Sequence, residues 1–386
     1  MKKNILICGY PNTVLRIFIE VLKDHFTVYF LSYSKKAQYE EIKKILGEKV
    51  FLLDTETGTL QKKLCTIFRL FSLSFHIASD KNTQLCVAYH NHSIKNGLIT
   101  ILLKLCFPRI TRVHFPYDIY VYQFPKELKY RYYSEKQARI KSNIHSWLTL
   151  YFDKLCFEHA HKLITKGFKD ELINLEPLYR IHAKPHFVFN FLIEKKDLVD
   201  KQIHKLQGDS SHLVSIGGIS NAQTADNNYK VFEELLKEKS IVLHVYSHSS
   251  EILKPLTNNK NLQIHPYITN HTALINEISQ YDFGISASLP PHHDYLQAKM
   301  ASGVRIYDFL AAGLPIIMDT NHTSMAQFIT ANNFGLVIPL NDIAHIKTNI
   351  DNSDYESLLR SVKKNREQFI VETHTKDILR FLQEKT

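Results

Sequence analysis

Glycine and proline are scarce in this chain, twelve of each in 386 residues. That excludes collagen-like repeats, Gly/Pro-rich low-complexity sequence and long flexible linkers. Cysteine is scarcer still: five residues, an odd number, with no CxxC pair. A disulfide framework is therefore excluded. Cys8, Cys65, Cys86, Cys106 and Cys156 each lie in an apolar run and read as buried free thiols of a reducing compartment. No apolar run reaches the ~20 residues of a membrane-spanning helix. The most apolar segments, 64–78 and 97–107, are interrupted by Arg69 and His76 and by Lys104. The short stretch after Met1-Lys-Lys-Asn is too brief for a signal peptide. A cytoplasmic chain that does not cross a membrane is the expectation.

The missing motifs narrow the chemistry. There is no GxGxxG after the first apolar run, no GxxxxGK[ST], no HExxH and no Asp-x-Asp, and the 21 histidines show no zinc-ligand spacing with cysteine. Neither a cofactor nor a metal is expected. An anionic substrate is then left to backbone amides, helix N-termini and basic side chains. Asp282-Phe-Gly stands without the other kinase motifs and reads as structural.

Charge is present, and it is uneven. Residues 1–193 hold 29 Lys and Arg against 16 acids, a net of +13; the remainder holds 19 against 22, a net of −3. Such asymmetry directs the first half toward something anionic: nucleic acid, a membrane surface or a phosphorylated substrate. Between 108 and 154, nine cations interleave with Tyr, Phe and Trp147 against four acids. That mixture suits anionic lipid headgroups, although a solvated helix face has the same composition.

The length predicts two domains at roughly 100–200 residues each. β-rich runs at 4–10, 26–32, 50–54, 85–90, 112–115, 162–165 and 186–190 alternate with helical patterns, and a second series runs from 212 to 338. The fold class expected is α/β: two tandem doubly wound domains with parallel sheets and a cleft between them. The expected divisions are 1–193 (acceptor side), a charged linker 194–211, a ligand-binding domain 212–353, and terminal helices 354–386 that cross back to the first domain.

The stretch Ser302-Gly-Val-Arg-Ile-Tyr-Asp-Phe-Leu-Ala-Ala-Gly-Leu-Pro-Ile-Ile reads as a helix followed by a buried strand. Arg305 falls in the first turn, where free amides and the helix dipole already attract anions. A cation there is electrostatically disfavoured unless an anionic ligand joins it. Asp308 lies three residues on, on the same face, suited to accept from ribose hydroxyls. An intrahelical Arg–Asp ion pair is the plain alternative. With Ser215-Ile-Gly-Gly-Ile and His265-Pro-Tyr-Ile, this stretch resembles the donor domain of GT-B fold glycosyltransferases of the family 4 (group 1) kind. Many retaining members carry Glu where Met300 stands, and a basic pair is often found where 220–223 holds none. The resemblance therefore leaves Arg305 as the principal cation for a diphosphate.

The resemblance implies a metal-independent glycosyltransferase that moves a sugar from a nucleotide-diphosphate sugar to a glycan or lipid-linked acceptor. It places the enzyme on the inner membrane face, in lipopolysaccharide or capsule assembly. Gly217, Gly218, Tyr267, Ser288, Arg305 and Asp308 would bind the donor. Asp118 is the candidate base for an inverting transfer, with His114 second; a loop Asp bonded to its own backbone is the ordinary alternative. Gly9 and Asn12, after the first strand, would meet acceptor or phosphate. A nucleotide-sugar epimerase of the same fold and a non-catalytic binding protein are the rival readings. Nucleic acid is not an expected partner.

Overall fold

The segment KNILICG, Lys3–Gly9, is buried at every residue after its first, as a central parallel strand must be when helices cover both faces of its sheet. This computed structural model describes residues 2–35, 38–53, 60–89, 93–116, 136–167, 184–200, 210–219, 227–289, 299 and 303–384. The chain divides into two compact units, one of Met1–Asn190 with Glu372–Thr386, the other of Phe191–Val371.

The first unit carries seven strands: β1 (Lys3–Gly9), β2 (Phe26–Ser32), β3 (Val50–Leu52), β4 (Thr83–Tyr89), β5 (Thr111–Phe115), β6 (Lys162–Thr165) and β7 (His186–Val188). They run parallel in the order β3-β2-β1-β4-β5-β6-β7. Its helices are α1 (Thr13–Leu22), α2 (Tyr39–Leu46), α3 (Leu60–Ser79), α4 (Ser93–Cys106) and α5 (Lys136–His159). One face of the sheet buries Leu6, Cys8, Leu31, Ile99 and Leu103 in one cluster. Elsewhere in the unit Phe18 meets Phe115 and Phe189 edge to face, centroids 5.5 and 5.4 Å apart. The thiols do not all share this interior. Cys8, Cys86 and Cys156 are buried, but Cys65 and Cys106 are exposed, because α3 and α4 turn those positions outward.

The second unit repeats the plan with β8 (Ser211–Ile216), β9 (Ile241–Tyr246), β10 (Leu262–His265), β11 (Phe283–Ser286), β12 (Ile316–Asp319) and β13 (Gly335–Ile338). Its parallel order is β10-β9-β8-β11-β12-β13. Helices α6 (Asn228–Leu235), α7 (His271–Ile278), α8 (Arg305–Ala311), α9 (Thr323–Ala331), α10 (Ile346–Asp351) and α11 (Tyr355–Asn365) belong to it. Gly284 of the Asp-Phe-Gly trio lies under the Phe309 ring, which a Cβ would meet at 2.2 Å, so that glycine serves packing. In each sheet the strand order reverses direction beside the first strand, between β1 and β4 and between β8 and β11. Ligands of such sheets bind beyond the carboxyl ends of the strands at that reversal.

The unit limits differ from the expected divisions at both junctions. Residues 191–200 belong to the second unit and are not a loose linker: Leu192, Ile193, Glu194 and Asp197 are buried, and Ile193 bridges Ile370 in parallel. Residues 201–209 lie outside the described ones. The terminal helices also separate, α11 staying with the second unit while α12 (Thr375–Gln383) joins the first. There the buried Lys162 donates to the carbonyls of Phe381, Leu382 and Glu384. A cation thus closes the negative end of α12.

Candidate functional site

The chain leaves β8 through Gly217, whose φ of +86° lies in the left-handed region that favours glycine. Its N–H still extends the sheet ladder, donating to the Tyr246 carbonyl at 3.0 Å. Of the two amides expected for a diphosphate, the Gly217 one is therefore already engaged. Gly218 is different. A Cβ there would meet only His248, at 3.7 Å, so neither space nor dihedral demands glycine.

Arg305 opens α8 and lays its guanidinium along this turn. Its Nη2 donates to the Gly218 carbonyl at 2.9 Å, and a Cβ on Gly217 would come 3.0 Å from its Nε. The absence of a side chain at 217 is what admits the guanidinium. A cation over a glycine turn at the β8/β11 reversal places positive charge where ligands of such sheets bind.

Around the turn, the Ser249 hydroxyl accepts from the Ile219 N–H at 2.8 Å. Tyr267 stands half-exposed, edge-on to His248 with centroids 5.7 Å apart. Across the reversal, the Ser288 N–H donates to Asp319 at 3.1 Å, and its hydroxyl lies 3.4 Å from His322 Nε2. The buried Asp319 carboxylate in turn holds His322 Nδ1 at 2.7 Å. This Ser288–His322–Asp319 string fixes the imidazole orientation and directs its second nitrogen to the serine hydroxyl. Residues 290–298, which include His292, His293 and Asp294, lie outside the described ones.

Asp308 is not left to solvent. Its Oδ1 lies 2.9 Å from His271 Nε2, and His271 Nδ1 lies 3.0 Å from Oδ2 of the buried Asp197. Burial works against a charged imidazole, but the hydrogen bonds and charges of Asp197 and Asp308 outweigh it and push His271 up to about 10. Asp197 is likewise opposed by burial, yet its bonds from His271 and Thr272 hold it below the usual carboxylate range. Among the described residues, Glu194, Asp197 and His271 bring three donor atoms within 4.8 Å, the spacing of a metal site. Both imidazole nitrogens are already bonded to carboxylates, however, and a protonated imidazole has no lone pair for a metal. The cluster reads as a charge-neutralising bridge.

The candidates of the first unit are described within that unit alone. Asp118 lies outside the described residues. His114 is 1% exposed within β5, its Nδ1 3.3 Å from the Ala88 carbonyl and its ring edge-on to Phe157. Burial depresses it to about 3, so it is a neutral interior group rather than one presented to an acceptor hydroxyl. Gly9 ends β1 where a Cβ would strike the Tyr89 carbonyl at 2.4 Å, a close approach that accounts for the glycine. Asn12 caps α1, accepting from the Leu15 N–H at 2.9 Å and from the Tyr89 hydroxyl at 2.7 Å. Its side-chain oxygen is committed to structure.

Sequence reasoning did not single out His271, Asp197, His322 or Asp319. Asp197 and His271 are 74 residues apart, and His271 and Asp308 37, so no local spacing signals that bridge; His322 and Asp319 are three residues apart, but the Ser288 they meet lies 34 and 31 residues away.

Residues 222–381 match the family model described as Glucosyltransferase 3-like, C-terminal domain. No curated protein sequence matches the chain. Among solved structures it is similar to a glycosyltransferase from Rickettsia africae ESF-5, with 14% identity over 100% of both chains and a TM-score of 0.63. It is similar to Anabaena Alr3699/HepE in complex with UDP, at 13% identity over 99% of each chain, TM-score 0.67. A UDP-N-acetylglucosamine 2-epimerase also aligns, at 12% identity over 100% of this chain and 99% of the other, TM-score 0.53. The fold is GT-B: two parallel α/β units, with glycosyltransferases of that architecture aligned along the whole chain.

Proposed function

We propose that the protein is a glycosyltransferase whose second unit binds a nucleotide-diphosphate sugar and whose first unit serves a glycan or lipid-linked acceptor. The observation that carries this reading is the Arg305 guanidinium bonded to the Gly218 carbonyl over the Gly217 turn, with Asp308 one helical turn on. The glucosyltransferase-like match over 222–381 and the UDP bound in the Anabaena relative support it. Arg305 takes the diphosphate charge and stabilises the leaving group, so the transfer is metal-independent. Asp308 accepts from the ribose, Tyr267 lies beside the base, and Ser288 lines the sugar end. Asp118, assigned on sequence alone, is the base that takes the acceptor proton if configuration inverts.

The acceptor is assigned to an anionic membrane surface, in lipopolysaccharide or capsule assembly at the cytoplasmic face. Two observations support this: the +13 of residues 1–193, and the exposed Phe68, Phe75, Leu105, Trp147 and Tyr151 on or beside α3, α4 and α5. Among the described residues no helix is long and apolar enough to cross a membrane.

The test is a thermal-shift panel of UDP-, GDP-, CMP- and ADP-sugars. At least one is expected to raise Tm in the wild type, and Arg305→Ala to weaken its binding at least about tenfold. No shift with any nucleotide sugar would sink the reading. Conversion of a donor to its epimer without an acceptor would favour the epimerase that the 2-epimerase alignment represents.

A further inference from the structure

Three segments far apart in sequence converge on one imidazole. Asp197 ends the 3-10 turn Lys195–Asp197, His271 is the first residue of α7, and Asp308 sits in the first turn of α8. The imidazole spans the two carboxylates at 3.0 and 2.9 Å, and Asp197 is anchored further by the Thr272 hydroxyl. A carboxylate can only accept, so an imidazole bonded to one at each nitrogen must donate from both and carry a positive charge. Asp308 Oδ2 makes no hydrogen bond among the described residues, and its side chain is 15% exposed. An aspartate in the first turn of a helix would otherwise sample several rotamers. Here one oxygen is pinned and the other is presented.

We propose that His271 is a positioning residue, which pins Asp308 through Oδ1 so that Oδ2 meets the ribose hydroxyls of the bound nucleotide. The inference rests on the reading of Asp308 as the ribose acceptor. Thr272 and Asp197 hold His271 from behind, and neither touches the ligand.

The experiment measures Kd for UDP and for 2′,3′-dideoxy-UDP by calorimetry on the full-length protein. The wild type is expected to favour UDP by about tenfold or more, the scale of hydrogen bonds to a charged acceptor. In His271→Ala the UDP affinity should fall to near that of the dideoxy ligand, whose own affinity should change by less than about threefold. A role confined to stability would lower both affinities together or neither. If the alanine variant does not fold, His271→Gln decides, since it retains one donor without the charge, and it should narrow the ratio to below about threefold. A folded variant that keeps the full preference for UDP overturns the positioning role. A wild type that binds both ligands equally overturns the ribose reading itself, which is a separate result.

Discussion

His114 and His271 carry the same side chain to opposite charge states. Burial depresses His114 to about 3, although its Nε2 lies 4.0 Å from the Asp153 carboxylate, and burial with two neighbouring imidazoles depresses His244 to about 4. His271, held between two carboxylates, is pushed up to about 10. The consequence for stability has a definite sign. As pH falls below the ordinary 6.5, the unfolded chain protonates at 114 and 244 while the folded one resists, so stability declines toward pH 4 and below. The stabilisation held by His271 is complete below 6.5 and is lost as pH rises toward 10. His114→Asn places an amide nitrogen where Nδ1 reaches Ala88 and removes the titration. Tm measured between pH 7 and 4 should therefore fall less steeply in that variant than in the wild type. For the chemistry, Asp118→Asn should abolish transfer while leaving donor binding within about twofold, since only the proton acceptor is lost. Retained turnover in a coupled assay would reject Asp118 as the base.

At the scale of elements, two lysines close helix C-termini. Lys184 donates to the Glu158 and Ala160 carbonyls at the end of α5, and Lys162 does the same for α12. Both carry an ammonium whose pKa burial lowers, tolerated because helix-end carbonyls surround it. Lys162→Met should destabilise the first unit by about 2 kcal/mol, the loss of charge-assisted bonds at a helix terminus. Limited proteolysis should then cut within 372–386 before anywhere in the second unit. Equal cleavage in variant and wild type would remove Lys162 from that role. Most elements were legible beforehand: 26–32, 162–165 and 283–286 are strands with the limits their β-branched and aromatic runs suggest. The 3-10 segments Ser250–Leu256 and Leu340–His345 were not, because each lacks the 3.6-residue apolar period that marks an α-helix. Within the candidate site, the placement of Arg305 and Asp308 in the first turn of one helix was readable from their spacing. The state of the Gly217 amide was not, since only the neighbouring strand shows that Tyr246 takes its hydrogen.

Across the whole molecule, the proposal that the first half meets an anionic surface rests on its charge and its exposed aromatics. Trp147, 61% exposed and stacked on Tyr151 with centroids 5.6 Å apart, is the single tryptophan of the chain. Its fluorescence therefore reports docking without a label. Anionic phosphatidylglycerol vesicles should blue-shift the emission of the full-length protein and retain it, and salt should reverse both. Trp147→Glu should weaken sedimentation with the vesicles by about tenfold. Stronger salt-sensitive retention on DNA than on vesicles would redirect the +13 toward nucleic acid.

By itself the sequence determined the α/β class, the two parallel sheets, the asymmetry of charge and the Arg305–Asp308 spacing. Each is written in local period or composition, which short segments carry without their neighbours. Only the tertiary structure decided that residues 191–200 are part of the second unit, that α12 returns to the first, and that His114 is an interior group. It alone brought Asp197, His271 and Asp308 to hydrogen-bond distance. Those outcomes depend on which distant segments share a burial site. Hydrogen-bond partners and pKa values are properties of that shared environment, and no window of sequence contains it.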